Sequence, residues 1–434
     1  MLPARSPARP MRWTLPPFGH SCFVRHGQRV VFAVVCAVAT GLALKNLLGT
    51  YADLGIYLDV AREFSAGGAN LYRDRPDSGP WLYPHVAVLP FALLLQGFGD
   101  TGARIGWCLL LGLGTAWTVR AAARAVAPFG GLRPWQWFVF ALLFQRCFAQ
   151  NLTHGQLSLW VGAFTVAGTA ALVQGRARSA GLWLGIAAAL KLTPVLFLVA
   201  LPLMGRWRAA LAMAVTIVVA VLLVPWPFCG TDEHLRHLQD FARSVQQAVL
   251  TPEQATITQS YAGPSVRGAL DYLLQPRPLD AEGHRVNLFE VDDATLGATR
   301  RIWSAVLLAL LGAWFWRARR LPDAARLAHQ ASAVAVTLSL FAPLLRVYHL
   351  TAAMVPFVLF CTGPGTLASP RRWRDPLWCS AALVLLLAMT LRQKKLLGET
   401  LWRSFDGGAF LHLGLVLLVV WLTRQAGRPT DERN

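Results

Sequence analysis

Side chains suited to acid–base chemistry and anion binding occur where long apolar runs begin or end. Asp53 and Tyr57 lie four residues apart, so they share one face if this stretch is helical. A carboxylate can act as a general base, and cationic side chains can stabilise a developing negative charge. The other candidates, which carry cationic or hydrogen-bonding groups, are Tyr83, His154, Gln156, Lys191, Gln259, Arg267, Arg346 and His349. Most of them are expected on one face of the membrane, and their spacing alone does not distinguish an enzyme from a transporter.

Lys191 stands out because it lies within the apolar stretch 180–203, in a chain with only four lysines among its 41 basic residues. An ionised ammonium near the centre of a bilayer costs at least about 2.5 kcal/mol on insertion scales. Pro194 follows closely, and proline removes a helical hydrogen bond and disfavours helix at the residue before it. We therefore expect two half-helices that meet within the membrane, both entered from the cytoplasmic side, with a bound phosphate or a carboxylate offsetting the charge.

Each candidate also has an ordinary structural explanation, and spacing alone does not exclude it. Asp53 suits a solvated loop that follows a membrane helix, and His349 suits a membrane interface. Arg346 could extend to lipid headgroups, and Lys191 could pair with a carbonyl at a helix end. The ordered set of residues is therefore stronger evidence for a functional site than any one residue.

The elements that must position these residues are membrane helices. The chain has 434 residues, of which 55% are hydrophobic and 15% charged, whereas a soluble domain carries about 25% charged residues. Apolar runs recur along it, and only α-helices give many runs of this length. The candidate spans are 29–48, 82–97, 104–119, 135–149, 155–173, 180–203, 209–226, 301–316, 329–345, 349–362, 376–391 and 408–423. The fold class predicted is an all-α polytopic membrane protein with about 11–13 transmembrane helices.

Charge is distributed in a way that encodes topology. The net charge is +19, yet 15 of the 22 acidic residues lie in segments 49–82 and 227–300. By the positive-inside rule these two segments form extracytoplasmic loops, and the basic clusters between other runs face the cytoplasm. This distribution argues against nucleic acid as a partner. The charge distribution does not determine on which side of the membrane each end of the segments within 82–149 lies.

The predicted organisation follows from these spans and loops. It comprises a basic cytoplasmic leader (1–28), an N-terminal transmembrane module (29–226) with the first loop (49–82), the large loop (227–300), a C-terminal transmembrane module (301–423) and a cytoplasmic tail (424–434). The first apolar run is long and lacks a clear cleavage site, which favours a retained helix over a signal peptide. The seven cysteines form no C-x-x-C pair, so neither a metal site nor a disulfide framework is indicated.

Taken in order, the motifs resemble those of glycosyltransferase family 87, membrane enzymes of the GT-C fold that use polyprenyl-phosphate sugars. The matching positions are Asp53, Ile56-Tyr57, Gly67 or Gly68, Tyr72, Tyr83-Pro84, Gly155-Gln156, Gly185 through Lys191 to Pro194, Gln259-Ser260 with Arg267, and Ala342-Pro343 with Tyr348-His349. The departures are His85 for a proline, Thr258 for an asparagine, Arg346 for a tryptophan and Tyr348 for a histidine. These departures leave the sugar and the acceptor open more than the reaction class.

The resemblance implies a GT-C-type fold and an inverting hexosyltransferase, with mannose as the expected sugar. The donor would be a polyprenyl-phosphate sugar, and the acceptor a lipid or glycan hydroxyl on the extracytoplasmic face of the inner (plasma) membrane. Asp53 matches the family's general base. The other candidates are expected to bind substrate, with Lys191, Arg267, Arg346 and His349 near the phosphate. No cofactor is expected, and we predict independence from metal ions.

Three other functions remain open from sequence alone. A transporter or flippase for a lipid-linked sugar would also use a broken helix and a charge at the membrane midplane. A GT-C enzyme of another kind, such as an oligosaccharide ligase or a protein O-mannosyltransferase, would differ in its acceptor. A catalytically inactive subunit is the third.

Overall fold

A computed structural model describes most of the chain. It covers residues 22–45, 52–67, 71–72, 81, 83–129, 132, 134–250, 265–275, 289–342, 346–362, 375–390 and 409–427. These residues form helices and turns, and none of them lies in a strand. Of the predicted site residues, Gln259 lies outside the described residues, as do Thr258, Ser260 and Pro343.

Fifteen α-helices make up the described part of the chain. They are α1 (Cys22–Lys45), α2 (Ala52–Ser65), α3 (Leu89–Val126), α4 (Pro134–His154), α5 (Ser158–Val173), α6 (Ala177–Leu190), α7 (Leu196–Leu203), α8 (Trp207–Val218), α9 (Trp226–Leu250), α10 (Val266–Leu274), α11 (Asp293–Arg317), α12 (Asp323–Phe341), α13 (Met354–Thr362), α14 (Pro376–Thr390) and α15 (Ala409–Gly427). Short 3₁₀ turns precede three of them, at His85–Val88, Thr193–Val195 and Val347–Ala353. Helix α1 begins before the predicted end of the leader, and α15 continues into the predicted tail.

Three described stretches are long and apolar enough to cross a membrane, namely His85–Phe129, Asp293–Arg320 and Phe410–Gly427. The first of them is interrupted at Gly99, so the predicted spans 82–97 and 104–119 are joined there by a break within one helical stretch. Shorter apolar helices of 10–17 residues coincide with other predicted spans, as at Ser158–Val173 and Pro376–Met389. The prediction of an all-α polytopic membrane protein is confirmed, and the expected number of spans stays a prediction.

The predicted break in segment 180–203 is present. Helix α6 ends at Leu190, and Lys191 has an extended backbone with φ −151° and ψ 128°. The 3₁₀ turn Thr193–Val195 and helix α7 follow. Because the chain leaves the helix at Lys191, the side chain of this residue is presented at a helix end rather than along a helix face.

The first part of the large loop is an amphipathic helix that docks on the N-terminal module. The chain bends by 89° between the stretch Trp207–Leu223 and α9. On the inner face of α9, His234 and His237 are buried and Nδ1 of His234 lies 2.9 Å from Nε2 of His85. Leu235, on the opposite face, is half exposed. The histidines that fasten this helix were not among the predicted site residues.

Helix α2 is held by an apolar face with helical spacing. Leu54, Leu58 and Ala61 are fully buried, and Tyr57 is 3% exposed. These residues belong to a core formed with parts of α1, α3 and α4, which includes Phe91 and other aromatic side chains. Asp53 lies at the first turn of α2, at the edge of this core, so burial of the helix fixes where its carboxylate lies.

Candidate functional site

The side-chain amide of Gln156 joins the two predicted residues of α2. Its Nε2 donates a hydrogen bond to Oδ2 of Asp53, and its Oε1 accepts one from the hydroxyl of Tyr57 at 2.9 Å. Gln156 is 2% exposed, whereas Asp53 is partly exposed. The hydroxyl of Tyr83 lies 3.4 Å from that of Tyr57. We call these four residues, Asp53, Gln156, Tyr57 and Tyr83, the Asp53 network.

The Asp53 carboxylate sets the direction of these bonds, because a carboxylate accepts hydrogen bonds and the amide nitrogen donates them. Burial raises the pKa of Tyr57 well above its usual value, so the phenol stays protonated and can donate to Oε1 of Gln156. With Oε1 occupied by the phenol, the amide nitrogen faces Asp53, where its N–H stabilises the ionised carboxylate.

The turn between α4 and α5 places Gln156 where it reaches Asp53. Gly155 has a φ of +68°, in the left-handed region that favours glycine. A Cβ at this position would meet Cβ of Leu54 at 2.8 Å. The carbonyl of Gly155 accepts a hydrogen bond from Nε1 of Trp107 at 2.8 Å. The close approach of this turn to α2 therefore requires a residue without a side chain.

Lys191 and His349 form a second group, which we call the Lys191 pair. Nζ of Lys191 lies 2.9 Å from Nε2 of His349 and 3.5 Å from the hydroxyl of Ser158. It also lies 5.4 Å from the centre of the Tyr83 ring, which links the pair to the Asp53 network. Asp53 is near enough for its negative charge to act on Lys191.

The turn Val347–Ala353 carries His349 and is fastened to α4 and α5. Nδ2 of Asn151 donates to the carbonyl of Tyr348 at 3.0 Å, and the hydroxyl of Thr351 donates to the same carbonyl at 2.9 Å. Gly162 of α5 faces Thr351 so closely that an added Cβ would lie 2.4 Å from Cβ of Thr351. Nδ1 of His349 accepts the backbone N–H of Arg346 at 3.2 Å. These contacts orient the imidazole toward Lys191.

The remaining predicted residues lie at different distances from this centre. The ring of His154 lies 6.0 Å from that of Tyr348, and its Nδ1 is bonded to the carbonyl of Gln150. Arg346 borders the site through its backbone, because its N–H donates to Nδ1 of His349 and its carbonyl accepts the N–H of His349 at 3.0 Å.

Arg267 lies apart from these residues. It is on α10, and its guanidinium is 3.8 Å from Asp271 on the same helix. Asp271 also pairs with Arg300 of α11. The structure thus places Arg267 in an ion-pair group of the large loop, and the contacts of the described residues do not join it to the Asp53 network.

Sequence reasoning missed several residues that support the site. Ser158 lies two residues after the predicted site residue Gln156, and that position could have suggested it. Trp107 carries no such signal, because a tryptophan in an apolar run is ordinary. Asn151 lies three residues before the predicted site residue His154, and no role was predicted for it.

The arrangement separates two kinds of chemistry. A carboxylate held by an N–H donor can accept a proton from a hydroxyl at one end of the site. A lysine and a histidine side by side can stabilise an anion at the other end. No group of three or more metal-ligating side chains is placed to hold a metal within the described part of the chain.

The described residues form an all-α polytopic membrane protein in which Asp53, Gln156, Lys191 and His349 lie at helix ends and turns. A sequence model of glycosyltransferase family 87 matches residues 81–345, which is more than half of the chain. The chain therefore belongs to glycosyltransferase family 87, as its motifs predicted. The matched region contains Gln156 and Lys191, whereas Asp53 precedes it and His349 follows it.

Two further comparisons add little to this assignment. A solved structure, ArnT from Cupriavidus metallidurans bound to undecaprenyl phosphate, is similar over 92% of this chain and 77% of that one, with 17% identity and a TM-score of 0.44. This is a distant likeness. A sequence search among curated proteins finds no match.

Proposed function

We propose that the protein is an inverting membrane hexosyltransferase that takes its sugar, with mannose as the first candidate, from a polyprenyl phosphate. The observation that carries the proposal is the continuous set of contacts from Asp53, through Gln156, Tyr57 and Tyr83, to Lys191. Membership of glycosyltransferase family 87 supplies the reaction class. The two ends of the site match the two demands of that reaction.

In the proposed reaction, the oxygen of an acceptor hydroxyl attacks the anomeric carbon of the donor sugar. Asp53 takes the hydroxyl proton as the new carbon–oxygen bond forms. The bond between the anomeric carbon and the phosphate oxygen breaks, and its electron pair leaves with the polyprenyl phosphate. Attack from the face opposite the leaving group inverts the anomeric centre, through an oxocarbenium-like transition state of the kind that glycosidases share.

The Lys191 pair is the proposed partner of the phosphate. The lysine lies at the end of α6 in an apolar segment, where a lipid phosphate can approach from the membrane. An anion beside Lys191 and His349 would offset the cost of keeping a cation there. Arg346 would add a third positive group at the border of the site.

The acceptor proposed is a lipid or glycan hydroxyl on the extracytoplasmic face of the inner membrane. The acid-rich segments 49–82 and 227–300 support this side, since Asp53 lies in the first of them. The reaction requires no cofactor, and the phosphate leaving group does not itself require a metal. Independence from metal ions stays a prediction that the same assay can test.

The test is sugar transfer in proteoliposomes from a radiolabelled set of polyprenyl-phosphate hexoses, with lipids of the native membrane as acceptor. Asp53→Asn keeps the shape of the side chain but removes the base, so we expect transfer to be lost. Asp59→Asn is the matched control, because Asp59 is an exposed residue of the same helix that pairs only at the surface with Arg62. Transfer by this control should stay near that of the wild type, with or without EDTA.

The possible outcomes separate the alternatives. Equal transfer by the wild type and Asp53→Asn would refute the role of Asp53 as base. Movement of the donor across the bilayer without transfer would favour a flippase. Transfer that requires a peptide acceptor or a lipid-linked oligosaccharide donor would favour another GT-C chemistry.

A further inference from the structure

Both polar atoms of the buried Gln156 side chain make hydrogen bonds to other residues of the protein. Its amide nitrogen donates a hydrogen bond to Asp53, its amide oxygen accepts one from Tyr57, and almost none of its surface is exposed. A residue that binds substrate directly must leave at least one polar atom for it. Gln156 therefore acts on the reaction through Asp53.

We propose that Gln156 is a positioning residue that orients Asp53 as the general base, with Tyr57 orienting the amide. This proposal rests on the proposed function, in which Asp53 is the base. In this proposal the orientation in which Asp53 reacts is set by Gln156, which lies 103 positions later in the sequence.

The amide can stand in only one orientation between these partners. A flipped amide would set its oxygen against the Asp53 carboxylate, so that two hydrogen-bond acceptors would face each other. The observed orientation satisfies both neighbours. One carboxylate oxygen of Asp53 is then occupied, which fixes the rotation of the carboxylate and leaves its other oxygen for an acceptor hydroxyl.

Gln156→Glu tests the proposal because it keeps the shape and replaces the N–H donor with a second carboxylate. Two carboxylates in hydrogen-bond contact share a proton, so the base would be occupied at neutral pH. We expect transfer at neutral pH to fall by about 10- to 150-fold, the range for loss of a hydrogen bond to a charged group. Activity should recover as the pH is raised, so that the acid limb of the pH–rate profile moves to higher pH.

Two further variants give independent measurements. Gln156→Leu should lower kcat over the same range without recovery at high pH, and should leave KM for the donor nearly unchanged. Tyr57→Phe keeps the amide but removes the phenol that orients it, so a smaller loss in kcat is expected. Gln96→Glu is the matched control, because Gln96 is exposed and bonds to Ser65 at the far end of α2. Its profile should match that of the wild type.

The outcomes distinguish this proposal from the proposed function. If Asp53→Asn transfers sugar normally, the base assignment fails. If Asp53→Asn is inactive but Gln156→Glu keeps the wild-type pH profile, the positioning role of Gln156 fails alone. A rise in KM with kcat unchanged in Gln156→Leu would also overturn it, because that pattern marks direct binding of substrate. Should Gln156→Glu not fold, Tyr57→Phe decides by the same split between kcat and KM.

Discussion

Replacing Gly155 by alanine is expected to damage the site through backbone geometry alone. Its φ of +68° places it in the left-handed region, which costs a residue with a side chain roughly 1–2 kcal/mol. The added Cβ would also meet Cβ of Leu54 at 2.8 Å. Overpacking of this kind typically costs about 1–3 kcal/mol. The two effects together predict a loss of about 2–5 kcal/mol in the free energy of unfolding.

A second glycine of the chain separates the two effects. Gly175 has a φ of +73°, but an added Cβ there would meet nothing within 4 Å. Gly175→Ala should therefore cost only the conformational term of about 1–2 kcal/mol. The difference between the two variants measures the contact with Leu54, which is the residue next to Asp53 on α2.

The assay is thermal unfolding of the purified protein in detergent, together with sugar transfer in proteoliposomes. Because membrane proteins often unfold irreversibly, the order of the unfolding temperatures is the useful quantity. We expect the wild type to be the most stable, Gly175→Ala intermediate and Gly155→Ala the least stable. Gly155→Ala should also lose transfer at temperatures where it remains folded, because the Leu54 contact displaces Asp53 from Gln156. Equal stability and equal transfer in the two variants would refute the reasoning.

Two further variants test the Lys191 pair. Lys191→Met removes the charge at the break after α6, so transfer should fall by about 10-fold or more and inhibition by polyprenyl phosphate should weaken. Lys45→Met, at the exposed end of α1, is the control and should change neither transfer nor inhibition. Gly162→Ala would press on Thr351 and shift the turn that carries His349, with an expected loss of about 1–3 kcal/mol in the free energy of unfolding, followed by thermal unfolding. Gly312→Ala is the control, because the added Cβ meets open space there, and it should leave stability unchanged or raise it slightly.

Much of the fold could be predicted because membrane helices leave a direct signal in the sequence. Apolar length and the distribution of charge gave the all-α class and most segments. Pro194 and Lys191 gave the break after α6, since both residues oppose a continuous helix. Segment ends were less accurate, because helical hydrogen bonds continue into polar flanks that hydropathy does not mark, as at the start of α1.

The contacts within the site could not be predicted in the same way. Gln156 lies 103 residues from Asp53, and Lys191 lies 158 residues from His349. No periodicity relates such positions, so the ordered motifs could place each residue at a helix end but could not pair it. Nor did the sequence show that both polar atoms of the Gln156 amide form hydrogen bonds with Asp53 and Tyr57. That conclusion depends on the close turn at Gly155.

The acidic residues near Arg267 and Lys191 in the sequence, however, distinguish these two predicted cations from each other. Arg267 has Asp271 four residues later, and the two residues share one helix face in α10, so this arginine is satisfied nearby. Lys191 lies in a stretch with no aspartate or glutamate from residue 101 to residue 231. Any carboxylate that balances it must come from a distant part of the chain, and among the described residues Asp53 is linked to it through Gln156, Tyr57 and Tyr83. A buried cation without a local partner is therefore a stronger indicator of a site than a cation with one, since only the former depends on the fold to bring its anion.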